Sequence, residues 1–207
     1  MLPLPLYQSL DEVRSEALKC RACGRAESRH LVVFGSGAPS APLMLIGEGP
    51  SEADDIGGDP FTGPAGRYLD ELLADAGIDR SQIWLTNVVK CRAWVMRHGR
   101  RQNRAPRATE LRACASWLSL EFEWVNPKVI LTIGAPAAHA VITPELRLME
   151  QRGEWHQLPG GRLAMATLQP AYLMRLRETD EAASRRLAGD VRDDIQAAAI
   201  RAGLLEI

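Results

Sequence analysis

Residues 43–66 read LMLIGEGPSEADDIGGDPFTGPAG, and the order of residue types in this stretch decides the fold. Leu43 to Ile46 is an apolar run of the length of a buried strand, broken abruptly by Gly47-Glu48-Gly49-Pro50. The break leaves an acidic side chain at the strand's carboxyl end, where open α/β sheets place their active sites. A long irregular loop rich in glycine and proline follows. Gly63-Pro64 then reads as the N-terminus of a helix running to Gly77, with Ala65, Tyr68, Leu69, Leu72, Leu73 and Ala76 on one face. A loop pinned at both ends, with Phe61 in its middle, favours function over disorder.

Outward from this stretch, strands alternate with helices. Leu10 to Leu18 reads as a helix, His30 to Phe34 as a short strand, and Gly35 to Pro42 as a turn-rich connection. Ile83 to Thr86 is a strand that delivers Asn87 at its end, and Pro106 to Val125 is a long helix carrying Cys114 and Trp117. Lys128 to Ile133 is a continuous apolar run, hence a central parallel strand, followed by a small-residue helix over 135–141. Leu163 to Leu168 is the last strand, with Gln169-Pro170-Ala171-Tyr172-Leu173 at its end. Residues 180–202 form an amphipathic helix with Leu187, Val191 and Ile195 on its inner stripe. The pattern predicts a three-layer α/β/α sandwich on a central parallel sheet, forming one domain over 1–207.

Composition excludes several classes. No apolar run reaches the length of a membrane span, and the N-terminal MLPLPLYQSLDEV has no basic region ahead of its apolar residues, so neither an anchor nor a signal peptide is expected. A cytoplasmic monomer is expected. The net charge of −1 excludes a globally basic nucleic-acid binder but leaves local patches open. One is plain: Lys90 to Arg107 reads KCRAWVMRHGRRQNRAPR, with seven lysines and arginines and no carboxylate. Such a run is either a solvated loop or a phosphate-tracking one in which Trp94 could stack on a base. The acidic residues lie mostly in 48–80 and 178–194, away from this run, which favours the second.

The four cysteines are Cys20, Cys23, Cys91 and Cys114. In a cytosolic chain they read as ligands, catalysts or buried hydrophobes ahead of disulfides. Cys20-x-x-Cys23 can grip a metal, and four thiolates could hold either tetrahedral zinc or an iron–sulfur cluster; spacing alone does not choose. A nucleotide-binding reading of Gly35-Ser36-Gly37 and Gly47-Glu48-Gly49 is weak, because neither forms G-x-G-x-x-G opening a helix and the acidic residue would repel a pyrophosphate.

Taken together, GEGPSEADD-x3-DPFTGPAG, TNVVKCR, NRAP ahead of the helix bearing Cys114, and QPAYLMR resemble the uracil-DNA glycosylase superfamily, specifically its iron–sulfur family 4. The resemblance implies a parallel α/β/α sandwich, a 4Fe-4S cluster on Cys20, Cys23, Cys91 and Cys114, and excision of uracil or a related deaminated base from DNA. It implies Glu48 as the residue that prepares a water and stabilises the sugar cation, and Asn87, Phe61 and Gly49 around the flipped base. Gln169 would stabilise the leaving base, and Arg100, Arg101, Asn103, Arg104, Tyr172, Leu173 and Arg175 would meet the DNA. These residue types suit the chemistry. An oxocarbenium-like sugar wants a carboxylate nearby, the departing base wants a donor at O2, and the base must first leave the stack.

Two departures stand out. The family's last motif begins His-Pro and here begins Gln169-Pro170; a glutamine amide donates a hydrogen bond but carries no charge. The segment between Cys91 and Cys114 is also long, resembling the arginine-rich loop of the UdgX branch, which becomes covalently linked to DNA through a histidine in a Lys-Arg-Arg-Ile-His run. The matching run here is Gly99-Arg100-Arg101-Gln102-Asn103, whose amide is a poor nucleophile, and UdgX lacks the cysteine that stands here as Cys91. A glycosylase that forms no adduct is expected; a relative that binds DNA without efficient excision is the alternative.

Overall fold

The computed structural model describes residues 7–206. Residues 1–6, on which the leader-peptide expectation partly rests, lie outside the described residues. Within them the helices are α1 (Leu10–Leu18), α2 (Glu52–Gly57), α3 (Pro64–Asp75), α4 (Ala108–Val125), α5 (Ala135–Val141), α6 (Leu148–Gln151), α7 (Pro170–Arg177) and α8 (Glu181–Ala202). The strands are β1 (Ser36–Gly37), β2 (Leu43–Gly47), β3 (Trp84–Asn87), β4 (Trp94–Arg97), β5 (Arg100–Asn103), β6 (Val129–Ile133), β7 (His156–Gln157) and β8 (Leu163–Thr167). None of the described helices is long and apolar enough to cross a membrane.

Six strands form the main sheet in the order β1-β3-β2-β6-β8-β7. The inner four, β3, β2, β6 and β8, are parallel, as expected from their unbroken apolar runs. Both edges correct that expectation, since β1 and β7 run antiparallel to their neighbours and the sheet is mixed. Each edge strand has only two residues, too few to leave an alternating pattern in the sequence.

Alternation through the inner strands assigns the two faces. Leu43 and Leu45 of β2, Leu85, Val129, Leu131 and Met165 face a cluster closed by Leu69, Leu72 and Leu73 of α3, Leu173 of α7, and Leu187, Val191 and Ile195 of α8. Met44, Ile46, Trp84 and Ile130 face the opposite cluster, closed by Val13 and Ala17 of α1, Leu118 and Val125 of α4, and Ala137 of α5. The chain is thus an α/β fold with helices on both faces. From β2 the chain passes through α3 to β3 on one side, and later places β6 on the other side of β2. The carboxyl ends of β2 and β6 therefore flank the switch point, where open sheets leave a crevice.

Three local expectations are corrected. His30 to Phe34 is not a strand: Val32, Val33 and Phe34 are buried, but the segment is tied by single bonds, Leu31 N–H to Asp55 O (3.1 Å) and Val33 N–H to Lys90 O (2.7 Å), with no ladder beside it. The loop after β2 is not wholly irregular. Ser51 caps α2 within it, accepting from Asp54 N–H while the Asp54 carboxylate accepts from Ser51 N–H. The basic run is no open loop either, because β4 and β5 pair antiparallel as a separate hairpin turning at His98-Gly99, both with positive φ.

Candidate active site

The carboxyl ends of the strands meet in one cavity of about 200 Å³. Its lining includes Glu48 and Gly49 just past β2, Asn87 at the end of β3, Phe61, Asn103 of β5, and Gln169 at the start of α7. Five separate segments deliver these side chains, so the cavity exists only when the sheet, the loop after β2 and the hairpin are all in place.

Gly47 explains how two of them come so close. A Cβ there would stand 2.5 Å from Asn87 Oδ1 and 2.7 Å from Phe61 Cζ, so the amide and the ring both use space that only glycine leaves open. Phe61 itself has φ 58°, a left-handed backbone that costs a phenylalanine on the order of 1–2 kcal/mol. Its neighbours hold it there. Arg80 donates to Pro60 O (2.6 Å) and Phe61 O (3.2 Å) while paired with Asp70, and Asp54 accepts from both Thr62 N–H and Thr62 Oγ1–H at 2.7 Å. Asp54 thus closes the loop on itself. The sequence reading missed both clamps. The Ser51-x-x-Asp54 spacing was a visible cap signal, whereas nothing marked Arg80, which lies beyond the following helix.

Glu48 is partly buried, and its Oε1 has no hydrogen-bond partner among the described residues. Burial raises its carboxyl above the ordinary carboxylate value. An unpaired carboxylate at the rim of a cavity costs stability, so its presence marks a chemical task more than a structural one. The N-termini of α3 and α7 also border the cavity, through Gly63, Pro64 and Ala65 on one side and Gln169, Pro170 and Ala171 on the other. Each helix carries proline at its first position, and each brings the positive end of its dipole to the same space. Negative charge developing there is stabilised from two directions.

A second, more polar cavity of about 280 Å³ adjoins the first, sharing Glu48, Gly49, Asn103, Gln169 and Ala171 and reaching out to Arg104 and Arg175. Asn103 is aimed by a chain of contacts: Glu52 pairs with Arg92 at 2.8 Å, and Arg92 Nε donates to Asn103 Oδ1 at 2.7 Å. The basic patch is therefore heterogeneous. Lys90 and Arg92 are buried, at 1% and 3% exposure, and Arg104 makes a two-pronged pair with Glu110 at 2.6 and 2.7 Å. Arg97, Arg100, Arg101 and Arg107 are exposed and have no carboxylate partner among the described residues.

Trp94 is not available to stack on a base, because its indole N–H donates to Ser28 O and the guanidinium groups of Arg25 and Arg101 already lie over its ring, at 6.0 and 4.5 Å from its centre. Leu173, expected at the DNA surface, is fully buried in the core beneath α7; Tyr172 and Arg175 of the same helix are exposed. The helical period separates them, since Leu173 occupies the inner stripe. His156 sits on β7 and does not line the cavity that holds Gln169.

The four cysteines line a separate, small and largely apolar void, with Cys20 and Cys23 partly exposed and Cys91 and Cys114 buried. Lys90 N–H donates to Cys114 Sγ at 3.1 Å, and Arg29 Nη1 to Cys91 Sγ at 3.5 Å. Burial pushes the Cys91 thiol up to about 12, and the Cys114 thiol rises for the same reason, so neither is a nucleophile on its own. Among the described residues, no three His, Cys, Asp or Glu side chains are gathered closely enough to hold a single metal ion.

The sequence that builds this site is similar to known proteins. The profile of the Uracil DNA glycosylase superfamily matches residues 34–190, which contain every cavity-lining residue named above. A Type-4 uracil-DNA glycosylase of Thermotoga maritima is 36% identical over 175 residues, covering 84% of this chain and 88% of that protein. Type-4 uracil-DNA glycosylases of Sulfurisphaera tokodaii and Archaeoglobus fulgidus are 36% and 34% identical, over 61% and 65% of this chain and 54% and 64% of their own lengths. With the matched region running from Phe34 through the sheet into the first half of α8 and enclosing the whole cavity, the chain belongs to the uracil DNA glycosylase superfamily.

Proposed function

We propose that this protein flips uracil, or a related deaminated base, out of DNA and hydrolyses its N-glycosidic bond as a monofunctional glycosylase. The observation that carries the reading is the convergence of Glu48, Asn87, Phe61 and Gln169 on one cavity between two helix N-termini. The base enters the cavity, its ring against Phe61 and its polar edge toward the Asn87 amide, with Gly49 lining the same cavity. The bond from C1′ to the base breaks with its electron pair going to the base, whose charge spreads to O2. Gln169 donates there, and the dipoles of α3 and α7 supply the positive field that a neutral amide lacks. Glu48 stabilises the cationic sugar and directs a water onto C1′, taking up the proton that the water releases.

The outer cavity and the exposed Arg100, Arg101 and Arg175 suit the phosphates flanking the flipped nucleotide, with Tyr172 beside them. Asn103 lines the same cavity as Glu48, but its amide is no nucleophile, so no covalent DNA adduct forms. Cys20, Cys23, Cys91 and Cys114 would hold a 4Fe-4S cluster. Four cysteines around one small void, with N–H donors aimed at two of the sulfurs, support that reading. When bound, the cluster supplies a covalent tie among the N-terminal segment, the turn after β3, and α4.

The deciding assay incubates the protein with single-stranded DNA carrying one uracil and reads abasic sites and slow-migrating adducts on the same denaturing gel. Abasic sites without adducts are expected. No base released from any deaminated substrate by iron-replete protein would leave DNA binding without excision as the better reading.

A further inference from the structure

Between the base pocket and the cysteine void lies a buried ion pair that the chemistry above leaves unused. Lys90 Nζ donates to Glu121 Oε2 (2.5 Å), Thr86 Oγ1 (2.6 Å) and the backbone carbonyl of Asn87 (2.8 Å), which uses all three ammonium protons. Glu121, near the C-terminal end of α4, is fully buried and also accepts from Gly35 N–H (2.8 Å) and from the Thr86 hydroxyl. The network is complete, but burying such a pair is a poor way to gain stability, since apolar residues of similar volume often do as well or better.

What the pair does achieve is local. β1 reaches only far enough to pair with Trp84 and Leu85, so no neighbouring strand on that side supplies a donor to the Asn87 carbonyl. The ammonium of Lys90 takes that place. On the other side, Val88 N–H bonds Gly47 O (2.8 Å) and Val89 N–H bonds Glu48 O (3.3 Å), and Lys90 itself is fixed through Val33 N–H to its carbonyl. The peptide plane after Asn87 is held from both sides, and with it the direction in which the Asn87 side chain leaves the backbone.

We infer that Lys90, with Glu121 as its counter-ion, is a positioning residue that holds the Asn87 amide in register for the edge of the flipped base. The inference rests on the assignment of Asn87 as the edge reader. Recognition by hydrogen bonds tolerates displacements of only about 0.5 Å, so a carbonyl released from the ammonium loosens selectivity before it loosens the fold.

The test is Lys90→Met combined with Glu121→Gln, which removes both charges and leaves no orphan ion. Two readouts are taken on iron-replete protein whose melting temperature is recorded. The first is the affinity for DNA carrying a 2′-fluorinated deoxyuridine, which resists cleavage, against the same strand carrying thymidine. The second is kcat and KM on uracil DNA. The preference for uracil should fall by roughly ten-fold or more and kcat by roughly 10- to 100-fold, with KM within about two-fold. Should the double variant not fold, Glu121→Gln alone is read in the same way, with a smaller loss expected. Unchanged preference in the folded variant overturns the inference. Because the binding readout does not need cleavage, a wild type that prefers uracil without excising it would overturn the glycosylase assignment and leave this one standing.

Discussion

The pocket and the basic hairpin lie side by side yet are held in different ways. Glu48, Asn87 and Gln169 sit at or just past the ends of β2, β3 and β8, strands buried on both faces and paired on both sides. Arg100 and Arg101 sit on β5, which pairs only with β4 and exposes every residue. Under the proposed function, the groups assigned to the reacting atoms are fixed by the core, whereas those assigned to the DNA backbone stand on a self-contained ribbon. The cations of the run Lys90 to Arg107 divide similarly: Lys90, Arg92 and Arg104 are buried or paired, whereas Arg97, Arg100 and Arg101 toward the turn, and Arg107 at the start of α4, are exposed.

The largest expected effect breaks the pocket alone. Glu48→Ala should lower kcat by about 10³-fold while leaving the affinity for uncleavable uracil DNA within a few-fold, read by single-turnover excision and by binding. Its conservative counterpart, Glu48→Gln, should raise the melting temperature at neutral pH. A carboxyl raised by burial destabilises the fold above its ordinary pKa, and the penalty vanishes as pH falls below that value. The gain should therefore shrink to nothing on acidification; a gain independent of pH would assign it to packing.

Arg104 tests whether proximity to the hairpin or pairing decides a cation's role. Arg104→Ala should cost roughly 2 kcal/mol of stability, because Glu110 is left buried, and should leave the salt dependence of DNA binding nearly unchanged. Arg104 holds the Glu110 carboxyl down to about 2. Since that value is depressed, the stabilisation is complete above the ordinary carboxylate range and disappears as pH falls toward 2. Wild type and Arg104→Ala should accordingly converge in melting temperature in acid.

Gln169→His should raise excision about ten-fold, which needs only about 1.4 kcal/mol of added transition-state stabilisation. Equal rates would mean that the dipoles of α3 and α7 already provide what a histidine would. The smallest effect concerns the hairpin. Neutralising Arg100 and Arg101 together should flatten the salt slope of DNA binding by roughly one to two units and spare kcat at saturating DNA. A fall in kcat instead would erase the division between the two regions.

Legibility in the sequence follows a similar division. The inner strands, α3, α5 and α8 were readable within a residue or two, because long apolar runs and caps are local signals. The cavity was readable because the carboxyl ends of adjacent strands must meet, which brings Glu48, Asn87 and Gln169 together. Long-range pairings were not: Arg80 reaches back across α3 to Phe61, and Glu110 and Glu121 on α4 select which cations of the basic run are withdrawn from solvent. Charge clustering counts cations without revealing their partners. The same limit misplaced Leu173, which a motif groups with exposed neighbours and a helix turns inward.

Both margins of the main sheet end in strands of two residues, Ser36–Gly37 and His156–Gln157, each running against its neighbour. A rim so brief offers an incoming chain almost no row of free amides and carbonyls to copy. The aliphatic strands most prone to stick to their own kind are enclosed between these stubs from the moment the sheet closes. Refolding at high concentration should therefore give clear solutions, and lengthening the His156–Gln157 stub with alternating valines and threonines should make them turbid.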